Sequence, residues 1–297
     1  MPFNTNLAGF GLALISSLFF SFYIVPRKLS KLSPITFSFI MSFGFAVSAI
    51  TLYMFQPLIN FHETISFVLL WSVAAGIIWA VSFVLFVTAI DYIGLSRSNQ
   101  WKNLQGPIAA ILGLLILGEF ATTNPIFAIL AAIAIFVSAV FLTATTESKK
   151  INLKGVYLGT LAGIGFGSVA VIQKYVTSNV GIYSQQVVWS ISIFLGMLIF
   201  IFLTKKMKET FQTSKKELLL SLSAGILYLG ASLFQLFSYR FLDVSISFTI
   251  IQMNAFWTVL IGILVFKEID LKKYYKNIAL GFVFTLIGIV FLFFARK

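Results

Sequence analysis

The sequence predicts an all-α membrane protein of ten transmembrane helices, built as two inverted five-helix repeats, residues 1–148 and 149–297. Three observations predict it. The 297 residues are 59% hydrophobic and only 10% charged, too little charge to cover a soluble domain of this length. Apolar runs long enough to cross the hydrocarbon core, which takes roughly 20 helical residues, recur from Leu7 to Ala295. The two halves also carry the same small and charged residues in the same order.

The spans fall at 7–26, 35–55, 67–91, 95–117 and 125–143 in the first half. In the second they fall at 155–175, 185–203, 218–241, 244–266 and 277–295. Pro26, Pro34, Pro57 and Pro125 sit at span ends, where they punctuate. Pro107 lies inside the fourth span. There it removes a helix donor and frees a carbonyl, which membrane proteins tolerate at packed or water-lined positions. The first span is too long for a signal-peptide core and has no basic stretch before it, so it reads as retained.

Alternate connectors of a ten-span chain share a side. Sixteen basic residues, from Arg27, Lys28 and Lys31 through Arg97 to Lys276, fall on one side; Lys174, Arg240, Arg296 and Lys297 fall on the other. The positive-inside rule then places connectors 27–34, 144–154, 204–217 and 267–276 in the cytoplasm of a multi-pass protein of the cell membrane, with both termini external. The net charge of +12 is spent in these short connectors, so it does not indicate nucleic acid. Cysteine is absent, which excludes disulfides and thiolate metal sites, and the single histidine, His62, reads as a solvated connector residue.

An offset of 149 residues pairs Ser72 with Ser221, Ala75 with Ala224, Gly76 with Gly225, Ser98 with Ser247, Gly113 with Gly262 and Glu119 with Glu268, without a gap. An offset of 146 aligns the first helices of the halves, Gly9 with Gly155, Phe20 with Phe166 and Lys28 with Lys174. Five helices per half is an odd number, so the second half enters from the opposite side. The repeats are then related by a pseudo-two-fold axis in the membrane plane, and exchange of two half-structures gives inward-open and outward-open states.

A lysine closing the first helix of each half, and a glycine-containing fourth helix ending in glutamate (Gly113 to Glu119, Gly262 to Glu268), resemble the EamA-type repeat of the drug/metabolite transporter superfamily. Phe22-Tyr23-Ile24-Val25-Pro26-Arg27-Lys28, Gly76-Ile77-Ile78-Trp79-Ala80 and Ser247-Phe248-Thr249-Ile250-Ile251-Gln252-Met253-Asn254 look closest to the glucose/ribose porters and related sugar-uptake proteins. The resemblance implies secondary transport of sugars, amino acids or other small metabolites. It also implies a central cavity bounded by the first four helices of each half. The fourth span departs from the sugar porters in placing Lys102 within it.

A polar side chain inside a span is costly, so its position is informative. On a continuous fourth helix, Asn99, Lys102, Asn103 and Gly106 share a face. The ninth presents Ser245, Thr249 and Gln252 on one face, with Asn254 turned away. The offset pairs Asn103 with Gln252 and Gln105 with Asn254, amides that can bond sugar hydroxyls or carboxylates, or knit helices together. Lys102 lies on the order of 12 Å along its helix, where a charge costs roughly 2.5–3.5 kcal/mol on insertion scales. That depth calls for a wet cavity or a function, unless the lysine snorkels. Trp79 and Tyr228 are related by the repeat and could stack on a sugar ring. The substrate-binding candidates are therefore Asn99, Lys102, Asn103, Gln252, Asn254, Trp79 and Tyr228.

Gly155, Gly159, Gly163 and Gly167 form a stripe on the sixth span, a packing seam or a sliding surface. All nine acidic residues lie in connectors or at helix ends, which argues against export of cationic drugs and leaves no obvious carboxylate for proton coupling. No catalytic constellation, metal-ligand cluster, cofactor motif or Walker motif is present. The expected partners are a small-molecule substrate and the lipid bilayer; a coupling ion and a homodimer stay open. A sugar transporter is the first reading and a transporter of amino acids or organic anions the second. A receptor or lipid-handling enzyme is the reading from another class.

Overall fold

Short polar side chains, glycine and proline decide where the helices begin and end. In the computed structural model, which describes residues 5–56, 63, 65–143, 152–267 and 271–297, the hydroxyl of Ser33 accepts from the Thr36 amide and starts a helix with Pro34 at its first position. Asn152 and Ser214 cap two further helices through the amides of Lys154 and Glu217. Gly94 (φ 81°) and Gly118 (φ 70°) end two others in a backbone region that L side chains rarely adopt.

The helices are α1 Thr5–Phe22, α2 Ile24–Leu29, α3 Pro34–Met54, α4 Leu70–Ile93, α5 Leu95–Lys102, α6 Gln105–Leu117 and α7 Pro125–Thr143. They continue with α8 Leu153–Asn179, α9 Ile182–Leu203, the short α10 Met207–Phe211, α11 Lys215–Tyr239, α12 Val244–Ile251, α13 Asn254–Leu264 and α14 Leu271–Ala295. No strand forms among the described residues, where the one extended contact is an isolated bridge between Thr123 and Arg296. The protein is an all-α membrane protein. Nine stretches among the described residues are helical, long and apolar enough to cross a bilayer, and only the expected fourth span, 95–117, is not one of them. It is divided between α5 and α6, and α5 is polar.

Three expectations about continuity need correction. Pro26 does not end the first span; the helix turns at Tyr23 and continues through Pro26 to Leu29, because a proline disturbs the turn before it rather than its own position. Neither the fourth nor the ninth span is one continuous helix. Asn103-Leu104 and Gln252-Met253 interrupt them, so a single helical face cannot be drawn through either stretch. His62, Pro57, Glu147, Glu268 and Asp270, and connector residues 144–151 and 268–270, lie outside the described residues.

Packing repeats in a regular way. α4 packs on α8 as α11 packs on α1, and α4 packs on α9 as α11 packs on α3. The pair α5 and α6 rests on α8 as α12 and α13 rest on α1. α3 meets α9, α6 meets α12, and α7 pairs with α14, where the Ser138 hydroxyl donates to the Gly281 carbonyl at 2.7 Å. Gly9 abuts Phe241 and Leu242, and Gly155 abuts Tyr92 and Ile93, positions 149 residues apart. Leu7, Phe43, Leu115, Ile126 and Phe293 are exposed on the outside, as suits a surface covered by lipid.

The glycine stripe of α8 backs the interrupted fourth stretch. A β-carbon at Gly163 would lie 2.9 Å from the Lys102 carbonyl oxygen, and one at Gly167 would lie 2.9 Å from that of Gln105. On the other side, α1 meets the ninth stretch through hydroxyls. Ser21 Oγ donates to the Asn254 carbonyl at 2.8 Å, and Ser17 Oγ accepts from Trp257 Nε1 at 2.9 Å.

Candidate functional site

The break at Asn103-Leu104 follows from Pro107. Its ring opposes the carbonyl four residues back, which belongs to Asn103, so the helix stops there and restarts at Gln105. In the new helix Pro107 sits in the first turn, where its missing donor has no partner to lose. The break at Gln252-Met253 has no proline beside it. The Ser21 hydroxyl bonds the Asn254 carbonyl at the start of α13. The two breaks meet: Gln105 Nε2 donates to Gln252 Oε1 at 2.8 Å, within the protein interior.

Around this contact lies a cavity of about 110 Å³. At about 30 Å³ per water it has room for a few waters or a small polar solute. Its wall is largely aromatic. Trp79 stacks on Phe83 with ring centroids 5.4 Å apart and meets Phe166 and Tyr228 edge-on, each at 5.9 Å. Tyr228 continues the line to Trp189 at 6.1 Å. The Lys102 ammonium lies over Phe86 at 5.4 Å and Phe166 at 6.0 Å.

Of the residues singled out from the sequence, Lys102, Gln252, Asn254, Trp79 and Tyr228 line this one cavity. Asn99 and Asn103 are not among its lining residues; Asn103 is buried, with no partner for its Nδ2. Asn254 shares the cavity with Gln252, contrary to the helical-face expectation, because the break between them resets the rotation of the chain. Gln105, Gln173, Gln235, Trp189 and Phe166 complete the polar and aromatic lining. Gln173 and Gln235 were legible by the rule that marked Gln252, since both are amides inside spans.

The cavity ends at Gln173 and Gln235. Gln235 Nε2 donates to Gln173 Oε1 at 2.8 Å and to the Tyr239 hydroxyl at 2.9 Å. Gln185 Nε2 donates to the Gln173 carbonyl at 3.0 Å, and Thr177 donates to Gln185 Oε1 at 2.8 Å. Lys174 donates to the carbonyls of Tyr239 and Leu242 beyond them. This network joins α8, α9 and α11 and ties Gln173 to Gln235.

Carboxylates at both ends tie the first half of the chain to the second. Near the amide network, Glu63 accepts from the amides of Tyr183 and Ser184 at 3.1 and 2.6 Å, and Glu119 accepts from those of Val244 and Ser245 at 2.6 and 3.0 Å. At the opposite end, Glu209 accepts from the Ser33 amide at 2.7 Å and hydroxyl at 2.8 Å, and Glu217 from the Lys31 amide at 3.2 Å. Anions at helix starts complement unpaired amides and the helix dipole, which explains carboxylates confined to connectors and helix ends. Burial works upward on the Glu209 carboxyl, but Ser33, Thr36 and Lys206 outweigh it and hold it below the usual carboxylate range.

A multi-pass helical protein whose interior holds a polar, aromatic-walled cavity between two interrupted helices belongs among proteins that bind small solutes within the membrane. The chain is matched over residues 12–295 by the model of the Sugar transport protein family, and it belongs to that family. It is 21% identical over 294 residues to the glucose uptake protein GlcU of Bacillus subtilis (strain 168), covering 96% of this chain and 98% of that one. It is 22% identical over 264 residues to a probable glucose uptake protein GlcU of Bacillus cereus (strain ATCC 14579), covering 86% and 88%. A solved crystal structure superposes with a TM-score of 0.72 over 96% of each chain at 12% identity, which establishes likeness of fold alone.

Proposed function

We propose that this sugar-transport protein is a secondary active transporter that moves a small polar metabolite, a sugar before other classes, across the cell membrane by alternating access. One observation carries the reading. Two interrupted helices, broken 149 residues apart in the chain, meet through Gln105 and Gln252 at the wall of a polar, aromatic-lined cavity. Discontinuous helices from paired repeats are a general way to build a substrate site near the bilayer midplane.

The packing supports two five-helix repeats, 1–148 and 149–297, since exchanging the halves carries α4 on α8 onto α11 on α1, α4 on α9 onto α11 on α3, and α5 and α6 on α8 onto α12 and α13 on α1. In this reading 95–117 is the tenth crossing, sheltered by α8, and the fold is that of the EamA-type drug/metabolite transporters. In an alternating-access cycle the hydrogen bond between Gln173 and Gln235 would be one of the contacts that open and close. The basic connectors support an orientation with both termini outside. Transport of amino acids or organic anions is the second reading, favoured by Lys102 in the cavity wall.

Purified full-length protein reconstituted in liposomes tests the function. It should exchange radiolabelled hexose across the bilayer faster than protein-free vesicles, and unlabelled hexose on the far side should accelerate the exchange. A protein that neither exchanges any of a panel of hexoses, pentoses and sugar acids nor gains thermal stability from them is not a sugar transporter.

A further inference from the structure

We infer that the preferred substrate is an acidic sugar, a monosaccharide that keeps its ring and carries one carboxylate. The inference rests on the sugar-transport reading and narrows it.

The cavity holds one uncompensated positive charge. No carboxylate lines it among the described residues, and the contacts of the Lys102 ammonium there are the faces of Phe86 and Phe166. Trp189 and Gln173 also line it, with their unpaired Nε1 and Nε2 buried in the wall behind its surface. At the break, Gln252 Oε1 is already taken by Gln105. A charged donor without an acceptor is costly, and a ligand that brings an anionic acceptor relieves it.

The helix ends at the wall are of both signs. Gln105 and Asn254 open α6 and α13, while Lys102 and Ile251 close α5 and α12, so the dipoles offset one another and the sign of the site is set by the lysine. A neutral hexose can accept through its oxygens but would leave the lysine without a counter-charge. A carboxylate offers acceptors only.

The charge count separates the carboxylate from a phosphate. One lysine compensates one negative charge, whereas a phosphate monoester carries close to two at neutral pH. The aromatic wall of Trp79, Phe166 and Tyr228 suits the carbon-bound hydrogens of an intact pyranose. The carboxylate then belongs at the Lys102 end and the ring against Trp79.

Equilibrium binding to the purified full-length chain tests this with D-glucose, D-glucuronate and glucose 6-phosphate as probes. Glucuronate should bind about tenfold or more tightly than glucose, the size expected of a charge-assisted contact. In Lys102→Gln that ratio should collapse to about twofold or less, and Lys102→Arg should restore part of it, since a guanidinium keeps the charge but not its shape. Ligand-free melting temperatures report whether each variant folds. Should Lys102→Gln fail to fold, the wild-type ratio and its partial loss in Lys102→Arg still decide. Glucose bound as tightly as glucuronate by the wild type, or a ratio unchanged in Lys102→Gln, overturns the acidic-sugar inference and leaves sugar transport standing. Tighter binding of glucose 6-phosphate overturns the choice of carboxylate. Failure of all three sugars to bind the folded wild type removes the sugar reading itself.

Discussion

The two ends of the cavity occupy corresponding places in the proposed repeats and are built from different chemistry. Gln235 and Tyr239 stand 149 residues after Phe86 and Ile90, and Gln173 stands 146 after Arg27. At one end the positions make a buried amide and hydroxyl network with distances of 2.8–3.0 Å. At the other they make ring faces and cations: Lys102 over Phe86, and Arg27 over Phe37 at 5.3 Å. In the proposed repeats, the shared offset sets where the ends lie and the residue types at matched positions set how each is built. Directional bonds hold one end in a single register, whereas rings and half-buried cations at the other accept a range of geometries.

The largest test compares the matched positions directly. Gln235→Leu removes the donor to Gln173 and Tyr239 and leaves buried acceptors unpaired, at a cost of about 1–3 kcal/mol for each group. Melting temperature should drop accordingly. In a Ser238→Cys background, which is clean because the chain has no cysteine, the buried thiol should become reactive to an impermeant reagent. Phe86→Leu at the matched position should leave the thiol unreactive and lower the melting temperature less, losing a cation–π contact of roughly 0.5–2 kcal/mol. Equal effects from the two variants would erase the distinction between the ends.

A second test uses the contact midway between them. Gln105→Leu or Gln252→Leu alone should each destabilise the protein by about 1–3 kcal/mol, because the remaining amide keeps a buried group without its partner. The double variant should cost less than the sum of the two, measured as a coupling energy in a thermal or denaturant cycle. Strict additivity would mean that Gln105 and Gln252 do not hold each other.

The smallest effect concerns pH and belongs to the charged end. The Glu209 carboxyl is held below the usual carboxylate range, so its stabilising contribution is full above the ordinary value of about 4.3 and is lost as pH falls through the lowered one. Glu209→Gln should therefore lower the melting temperature slightly at neutral pH. The difference from wild type should vanish on acidification below that range. The amide network contains no group that titrates there, and Gln235→Leu should show a difference that does not follow pH in the same way. A pH-independent gap for Glu209→Gln would break the contrast.

Membrane class, span positions and the offset between halves were legible because each rests on long-range averages of composition or on repeated identities. Lys102, Trp79, Tyr228, Gln252 and Asn254 share one cavity, as expected of costly polar groups and repeat-related aromatics. What failed was continuity. The faces drawn for the fourth and ninth stretches assume 3.6 residues per turn without interruption, and both helices restart in mid-course. Pro107 gave a local reason for the first break, but nothing beside Gln252 announces the second, whose Asn254 carbonyl is bonded by Ser21 on a distant helix. The cross-half roles of Glu63, Glu119, Glu209 and Glu217 were equally hidden, since the sequence places them in connectors and at helix ends without naming their partners.

The glycine stripe of α8 has a mechanical consequence. Against it, α5 and α6 press backbone carbonyls onto bare α-carbons at Gly163 and Gly167, with no side chain standing between them. Against α1, by contrast, the ninth stretch is fastened by the hydroxyls of Ser17 and Ser21. Contact without direction is nearly level along the helix axis, while a hydrogen bond has one favoured length and angle. If the halves rock on one another as proposed, the flank with fewer directional bonds to break is the one that holds Lys102, and the Ser17 and Ser21 hydroxyls act as a catch on the other.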